Sequence, residues 1–223
     1  MPDREYAVIV AGGIGSRMNS EVPKQFIPVN GLPVLMHTIR KFFEYSPEIT
    51  VVVVLAEKDQ EQWIRLCHKY EFQYPVIIAS GGKTRFQSVR NGLDKTGETG
   101  LVAIHDGVRP MVDKAIIGAS FQLAALHGCA IAAVRLKETI RITDKDDTKT
   151  VDRSKFRLIQ TPQTFRLPLI KQAYQQPENP SFTDDASVAE KAGYKISLFE
   201  GSYRNIKITT PEDLLFAEVL LLP

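Results

Sequence analysis

Five short apolar runs recur along the chain: Tyr6–Ala11, Thr50–Leu55, Pro75–Ala79, Leu101–His105 and Ala130–Val134. They are rich in Val, Ile, Leu and Ala and alternate little with polar residues. Runs of this kind suit strands covered on both faces, not strands with one wet side. Helical patterns stand between them. Pro33 opens one that carries Ile39, Phe42 and Phe43, residues 58–72 carry Trp63, Leu66 and Tyr70 at helical spacing, and Asp113 is placed to cap a helix over 114–127. The alternation predicts an α/β fold: a Rossmann-like, doubly wound, mainly parallel sheet with right-handed crossovers. Ligands of such sheets bind outside the carboxyl ends of the strands. The loops in question are 11–17, 80–85 and 105–110, and each carries glycine or charge.

A chain of 223 residues can bury one sizeable core, so a single domain over 1–223 is the natural reading. It is 43% hydrophobic and 24% charged, which is globular composition. A net charge of +2 with acids and bases interspersed argues against a nucleic-acid-coating protein. No run of about eighteen apolar residues occurs, and the opening Met-Pro-Asp-Arg-Glu has no signal-peptide pattern. Cys67 and Cys129 lie in helical and strand-like patterns without metal-ligand spacing. The expectation is a soluble cytoplasmic protein with no membrane or nucleic-acid partner.

The first loop carries the strongest chemical signal. Val10-Ala11-Gly12-Gly13-Ile14-Gly15-Ser16-Arg17-Met18 brings three glycines within four positions, and Pro23-Lys24-Gln25-Phe26 follows. Without a Cβ, glycine backbone can approach a bulky polyanion closely. A strand, a glycine turn and then the cations Arg17 and Lys24 make a phosphate cradle. The pattern is neither a P-loop nor the dinucleotide fingerprint, whose third glycine is replaced by Met18. On the residues alone, an ordinary glycine-rich turn with solvated cations also stands.

Other candidates follow the remaining strand ends. In His105-Asp106-Gly107-Val108-Arg109-Pro110, Asp106 could hold Mg²⁺ or a ribose hydroxyl, or pair with Arg109 in a turn. Gly81-Gly82-Lys83-Thr84-Arg85-Phe86-Gln87-Ser88 either brings backbone against a base or simply connects a strand to a helix. Arg153 and Lys207 form a second cationic pair near the ends of extended segments. No Ser/His/Asp set, zinc spacing or nucleophilic cysteine environment is present, so covalent catalysis has no support. Direct nucleotidyl transfer needs none.

From Lys137 the pattern changes. Residues 138–143 alternate polar and apolar, 144–149 form a charged turn, and Thr150–Arg153 leads back. This predicts an inserted β-hairpin at about 137–157, packed on a second subunit or on its own domain, because a lone ribbon is marginal in water. Gln160–Phe165 reads as a polar turn before a short helix over 167–174. Thr183 reads as the cap of a helix ending at Gly193, with Asp184 and Asp185 as acids at its positive end. A strand over 195–200 comes next. Thr210-Pro211-Glu212-Asp213 has the cap, proline and acid that start a last helix.

Together these motifs resemble the 2-C-methyl-D-erythritol 4-phosphate cytidylyltransferases, nucleotidyl-transfer enzymes of non-mevalonate isoprenoid synthesis. The resemblance covers Ala7 to about Leu220. It is carried by the glycine loop through Arg17-Met18, Pro23-Lys24-Gln25-Phe26, Gly81-Gly82 with Arg85 and Ser88-Val89, and His105-Asp106 with Arg109-Pro110. Thr150-Val151-Asp152-Arg153, Thr161-Pro162-Gln163, Thr183-Asp184 and Asn205-Ile206-Lys207 complete it. It implies that Ala11, Gly12, Gly13 and Gly15 wrap the CTP phosphates while Arg17 and Lys24 stabilise the pentavalent α-phosphorus and pyrophosphate. Gly82, Arg85 and Ser88 would line the cytosine and ribose side. Asp106 and Gly107 would sit near the nucleotide, with Asp106 also a candidate ligand of Mg²⁺ and a contact of the acceptor. Arg153 and Lys207 would grip the phosphate of methylerythritol phosphate, helped by Thr139, Thr161 and Thr183. The hairpin would be the dimerisation arm of a homodimer, with Arg153 serving the partner's site.

The resemblance has departures. The family usually has alanine at the position of Gly12 and Ala-Ala at Gly107-Val108, and acidic residues are frequent where Arg204 stands. Ala-Gly-Gly is also typical of ribitol-5-phosphate cytidylyltransferases, which share Pro-Lys-Gln-Phe and Asn-Ile-Lys-Ile-Thr-Thr-Pro. The order Asp152-Arg153 favours the methylerythritol enzymes. Small residues persist at the positions of backbone approach, so little functional change is expected. The competing readings are transfer to ribitol 5-phosphate and a nucleotide-binding protein without transfer. A nicotinamide dehydrogenase is disfavoured by the missing third glycine.

Overall fold

In the computed structural model, residues 4–13, 22–144 and 147–222 are described. The strands are β1 Glu5–Val10, β2 Pro28–Val29, β3 Leu32–Pro33, β4 Thr50–Leu55, β5 Val76–Ser80, β6 Leu101–Asp106, β7 Cys129–Arg135, β8 Arg141–Asp144, β9 Asp147–Thr150, β10 Arg157–Arg166 and β11 Leu198–Glu200. The helices are α1 Val34–Tyr45, α2 Glu57–Lys69, α3 Arg85–Leu93, α4 Lys114–His127, α5 Leu167–Ala173, α6 Asp185–Lys191 and α7 Pro211–Leu220.

One sheet has the order β11-β7-β10-β6-β1-β4-β5. Its neighbouring strands are parallel except around β10, which runs antiparallel to β6 and β7. From β1 the chain steps outward to β4 and β5, then returns to the other side of β1 as β6. The crevice beyond the carboxyl ends of β1 and β6 is therefore the switch point where such sheets take ligands.

Successive strand residues point to opposite faces, and both faces are dry. Ala7 and Ile9 of β1, with Val51, Val53 and Leu55 of β4, pack under Leu35, Ile39 and Phe42 of α1 and Phe121 of α4. Tyr6 and Val8, with Val52 and Val54, face Val89 and Leu93 of α3 and Ile170 of α5. This double burial is why the strand runs lack alternation. A third cluster seats Ala217 of α7 on Val29, Val34, Val108 and Ile208. α3 lies close on the sheet: a Cβ at Gly92 would come within 2.6 Å of Val8 Cγ1 and 2.8 Å of Val54 Cγ2. Among the described residues, no helix is long and apolar enough to cross a membrane.

Three local expectations are corrected. Residues 160–165 are not a turn but the buried middle of β10, a strand lying between β6 and β7. Their polar side chains misled because each is satisfied indoors. Thr164 donates to Ser120 Oγ at 2.8 Å, and Gln163 donates to Asp184 Oδ2 at 2.9 Å while accepting from the Ala186 amide at 2.8 Å. The β7 pairing shifts register between Ile159 and Gln163, and the Thr161–Pro162 peptide is cis. Second, the first hairpin strand is later and shorter than the expected 138–143, the second is earlier than the expected 150–153, and the turn between them is tighter, Arg141 pairing with Thr150 and Asp144 with Asp147. Residues 145 and 146 lie outside the described residues. Third, α6 is capped by Asp184 rather than Thr183: the Asp184 carboxylate accepts from the Ser187 amide at 2.8 Å. By contrast, the caps expected at Asp113 and Thr210 are present.

Candidate active site

Three strand ends build the site. Backbone bonds pin the first two: the Ala11 amide donates to the Val54 carbonyl at 2.9 Å, and the Gly107 amide donates to the Val10 carbonyl at 2.9 Å. Gly107 is packed so tightly that a Cβ would lie 2.9 Å from Ala11 Cβ and 3.0 Å from Leu35 Cδ1. At the third end, the Gly81 amide donates to the Leu55 carbonyl at 2.7 Å. Ser88 then folds the loop onto α3, accepting from the Gly82 amide at 3.0 Å and donating to the Thr84 carbonyl at 2.8 Å. A Cβ at Gly82 would fall 2.3 Å from Gln87 Cβ, so glycine is needed there to close the loop. Gly12 and Gly13 differ: the first has 3.6 Å to its nearest neighbour and the second has none within 4 Å. Protein packing does not demand glycine at either position.

These ends enclose a cavity of about 360 Å³ lined by Ala11, Gly12, Gly13, Lys24, Gly82, Arg85, Ser88, Asp106 and Lys207. Behind it lies a second cavity of about 270 Å³, lined by Arg109, Ile159, Gln160, Thr161, Gln163, Thr183 and Asp184. Arg85, Asp106 and Lys207 line both and so form the wall between them.

Charge concentrates at that wall. Asp106 Oδ2 receives Arg109 Nε at 3.1 Å and lies 3.1 Å from Lys207 Nζ, while the Asp106 amide donates to Thr161 Oγ1 at 3.0 Å. Burial alone would raise the Asp106 pKa, but Lys207, Arg85 and Arg109 outweigh it and hold the carboxyl well below its usual range. Fully buried His105, with an edge-on contact to Phe42, is pushed down to about 4 by burial and is neutral at pH 7. Asn205, also fully buried, donates to the Thr161 carbonyl at 2.8 Å and accepts from Arg109 Nη1 at 2.8 Å through its own carbonyl. It locks Lys207 into register. The Ile208 amide bonds the Val108 carbonyl at 2.9 Å, and the Ile208 carbonyl accepts Lys24 Nζ at 3.1 Å. Lys24 opens a 3₁₀ turn anchored by buried Phe26, which stacks on Trp63. One short segment thus aligns both lysines.

Most of the expected residues meet here. Ala11, Gly12, Gly13, Lys24, Gly82, Arg85, Ser88, Asp106 and Lys207 line the first cavity, and Thr161 and Thr183 line the second. Gly107 lines neither cavity, although its neighbours Asp106 and Val108 line the first. Arg153 and Thr139 are exposed and line neither cavity of their own chain; Arg153 instead donates to the Lys137 carbonyl. Gly15 and Arg17 lie outside the described residues. Sequence reasoning passed over Gln25, Lys83, Thr84, Gln160 and Gln163 as cavity residues. Gln25 and Gln163 sat inside quoted motifs, whereas Gln160 carried no signal. Of the departures, Arg204 donates to the Leu220 carbonyl at 3.0 Å, at the end of α7.

A family model, IspD: 2-C-methyl-D-erythritol 4-phosphate cytidylyltransferase, matches residues 6–222. The chain belongs to this family. A 2-C-methyl-D-erythritol 4-phosphate cytidylyltransferase of Bacteroides thetaiotaomicron is 46% identical over 218 residues, covering 98% of this chain and 100% of that protein. One of Phocaeicola vulgatus is 45% identical over 216 residues, covering 97% and 99%. The crystal structure of 4-diphosphocytidyl-2C-methyl-D-erythritol synthase from Anaerococcus prevotii superposes with a TM-score of 0.84 at 30% identity, covering 98% of this chain and 96% of that one. The mainly parallel sheet and its switch-point crevice are therefore the cytidylyltransferase fold, and the chain is a nucleotidyltransferase.

Proposed function

We propose that this cytidylyltransferase transfers CMP from CTP to 2-C-methyl-D-erythritol 4-phosphate, releasing pyrophosphate. The observation that carries the reading is the pair of cavities sharing one charged wall. The larger takes the nucleotide and the smaller takes the acceptor, so the two reactants meet at Asp106, Lys207 and Arg85. An acceptor phosphate oxygen attacks α-phosphorus in line. The new P–O bond forms as the bond to the pyrophosphate oxygen breaks, with no covalent enzyme intermediate.

Ala11, Gly12, Gly13 and Gly15 wrap the triphosphate, where open space at Gly12 and Gly13 supports backbone approach. Lys24 and Arg17 stabilise charge building on α-phosphorus and the leaving group. Gly82, Arg85 and Ser88 bound the nucleoside side, held by the bonds described above. Asp106 orients Lys207 toward the acceptor phosphate, and Thr161 and Thr183 line its seat. Among the described residues Asp106 is the one carboxylate lining the nucleotide cavity, and Mg²⁺ characteristically takes one or two carboxylates plus substrate phosphates, so the residues fit that ion. Bound there, Mg²⁺ would neutralise phosphate charge.

The chain acts as one domain with an arm at 137–157, and as a homodimer. Every residue of β8 and β9 is exposed, and Ile142 is 57% exposed, which supports an arm covered by a second copy. Arg153 and Thr139 then complete the partner's acceptor cavity. The free thiols of Cys67 and Cys129 support a cytoplasmic setting. Mixing the Arg153→Ala and Lys24→Ala proteins tests the shared site. Mixed dimers should regain activity, because one of their two sites contains both residues intact. No recovery after subunit exchange would place Arg153 in its own subunit's site, and an Arg153→Ala protein that is active by itself would place Arg153 outside the reaction.

A further inference from the structure

Two adjacent acids open α6, and they do different work. Asp184 caps the helix, whereas Asp185 is fully buried. Its carboxylate receives Arg85 Nη1 and Nη2 at 2.8 and 2.6 Å, and the Tyr174 hydroxyl donates to the same carboxylate at 2.6 Å. Tyr174 is buried too, its ring stacked on Phe86 at 4.7 Å, and Phe86 stacks on Phe182 at 5.7 Å. A bidentate fork fixes the plane of a guanidinium, and breaking it would leave an unpaired charge indoors. Arg85, unlike Asp185, is part-exposed and lines both cavities.

We propose that Asp185 is a positioning residue for nucleotidyl transfer, holding the Arg85 guanidinium at the wall between the two cavities while Tyr174 holds Asp185. This rests on the reading of the cavities under Proposed function. The pair also ties two loops together. Gly82–Thr84, just before Arg85, lines the nucleotide cavity, and Thr183–Asp184, just before Asp185, lines the acceptor cavity. Loosening it disturbs both substrates at once, whereas loosening one loop disturbs one.

The test is a double-mutant cycle on Asp185→Asn and Arg85→Ala, read as kcat/KM for each substrate and as melting temperature. With Arg85 present, Asp185→Asn should lower kcat/KM for CTP and for the acceptor by the same factor, about tenfold or more. In the Arg85→Ala background the same change should leave kcat/KM alone and raise the melting temperature, because it removes an unpaired buried charge. Tyr174→Phe, which deletes one donor and keeps the ring, should give a smaller equal loss for both substrates and serves if Asp185→Asn does not fold. Wild-type kcat/KM in folded Asp185→Asn, or the same loss in both backgrounds, would overturn the proposal. If the unaltered protein releases no pyrophosphate, the functional reading fails instead. CTP titration calorimetry then judges the pair: weaker binding only when Arg85 is present supports it, and equal binding in all variants overturns it.

Discussion

Lys207 Nζ lies 3.1 Å from Asp106 Oδ2, the same oxygen that receives Arg109 Nε at 3.1 Å. Two cations, one three residues away and one far along the chain, converge on one buried carboxylate at the wall that the two cavities share. Asp106→Asn keeps the shape and removes the charge. The expected loss is about 2 kcal/mol or more of transition-state stabilisation, at least roughly thirtyfold in kcat/KM, for both substrates. Steady-state kinetics check it; a loss confined to one substrate would contradict the shared wall.

Lys24 tests the chemical step. Half-buried Lys24 lines the larger cavity, and its ammonium bonds the Ile208 carbonyl from a turn held by Phe26. Lys24→Ala should lower kcat by about a hundredfold or more with the fold intact, the scale of removing a preorganised charge stabiliser. Single-turnover rates alongside circular dichroism measure this. A near-wild-type rate would remove Lys24 from the reaction.

Gly12 and Gly107 should answer alanine differently. A Cβ at Gly12 meets ordinary contacts at 3.6 Å, so Gly12→Ala should leave the melting temperature unchanged. At Gly107 it would meet Ala11 and Leu35 side chains at 2.9 and 3.0 Å and the Val10 carbonyl at 3.2 Å. Gly107→Ala should therefore destabilise by about 1–3 kcal/mol through overpacking. Thermal melts of the two variants side by side decide the matter.

His105 links stability to pH. Its folded pKa is pushed down to about 4 from an ordinary value near 6.5, so between those values the unfolded chain binds the proton and the folded one does not. Stability should fall as pH drops from about 6.5 to 4, by about 2–3 kcal/mol from this residue. Asp106, with its lowered pKa, adds to the loss below about pH 4. His37, lowered chiefly by burial, shares the upper part of the window. His105→Gln should flatten the slope of melting temperature against pH; an unchanged slope would mean His105 titrates normally.

The fold was legible where one kind of residue served one purpose. Thr50–Leu55 and the Asp113 cap stand where apolar runs and capping chemistry placed them, and the loops beyond β1, β5 and β6 do converge. Legibility failed where polar residues are buried with partners. Gln160, Thr161, Gln163 and Thr164 looked like a turn because side-chain bonds to Ser202, Asp106, Asp184 and Ser120 cannot be read from local pattern. Asp185 looked like a helix-end acid for the same reason: its partner, Arg85, lies far away in sequence. Arg153 and Thr139 are exposed and line neither cavity of their own chain, so their packing assigns them no role there.

The most direct measurement is pyrophosphate release by the purified protein with CTP and Mg²⁺, comparing 2-C-methyl-D-erythritol 4-phosphate with ribitol 5-phosphate. Release with the first acceptor and not the second is the expected result. Release with ribitol 5-phosphate alone would contradict the acceptor assignment and require the cavity of Thr161, Thr183 and Lys207 to be reassigned.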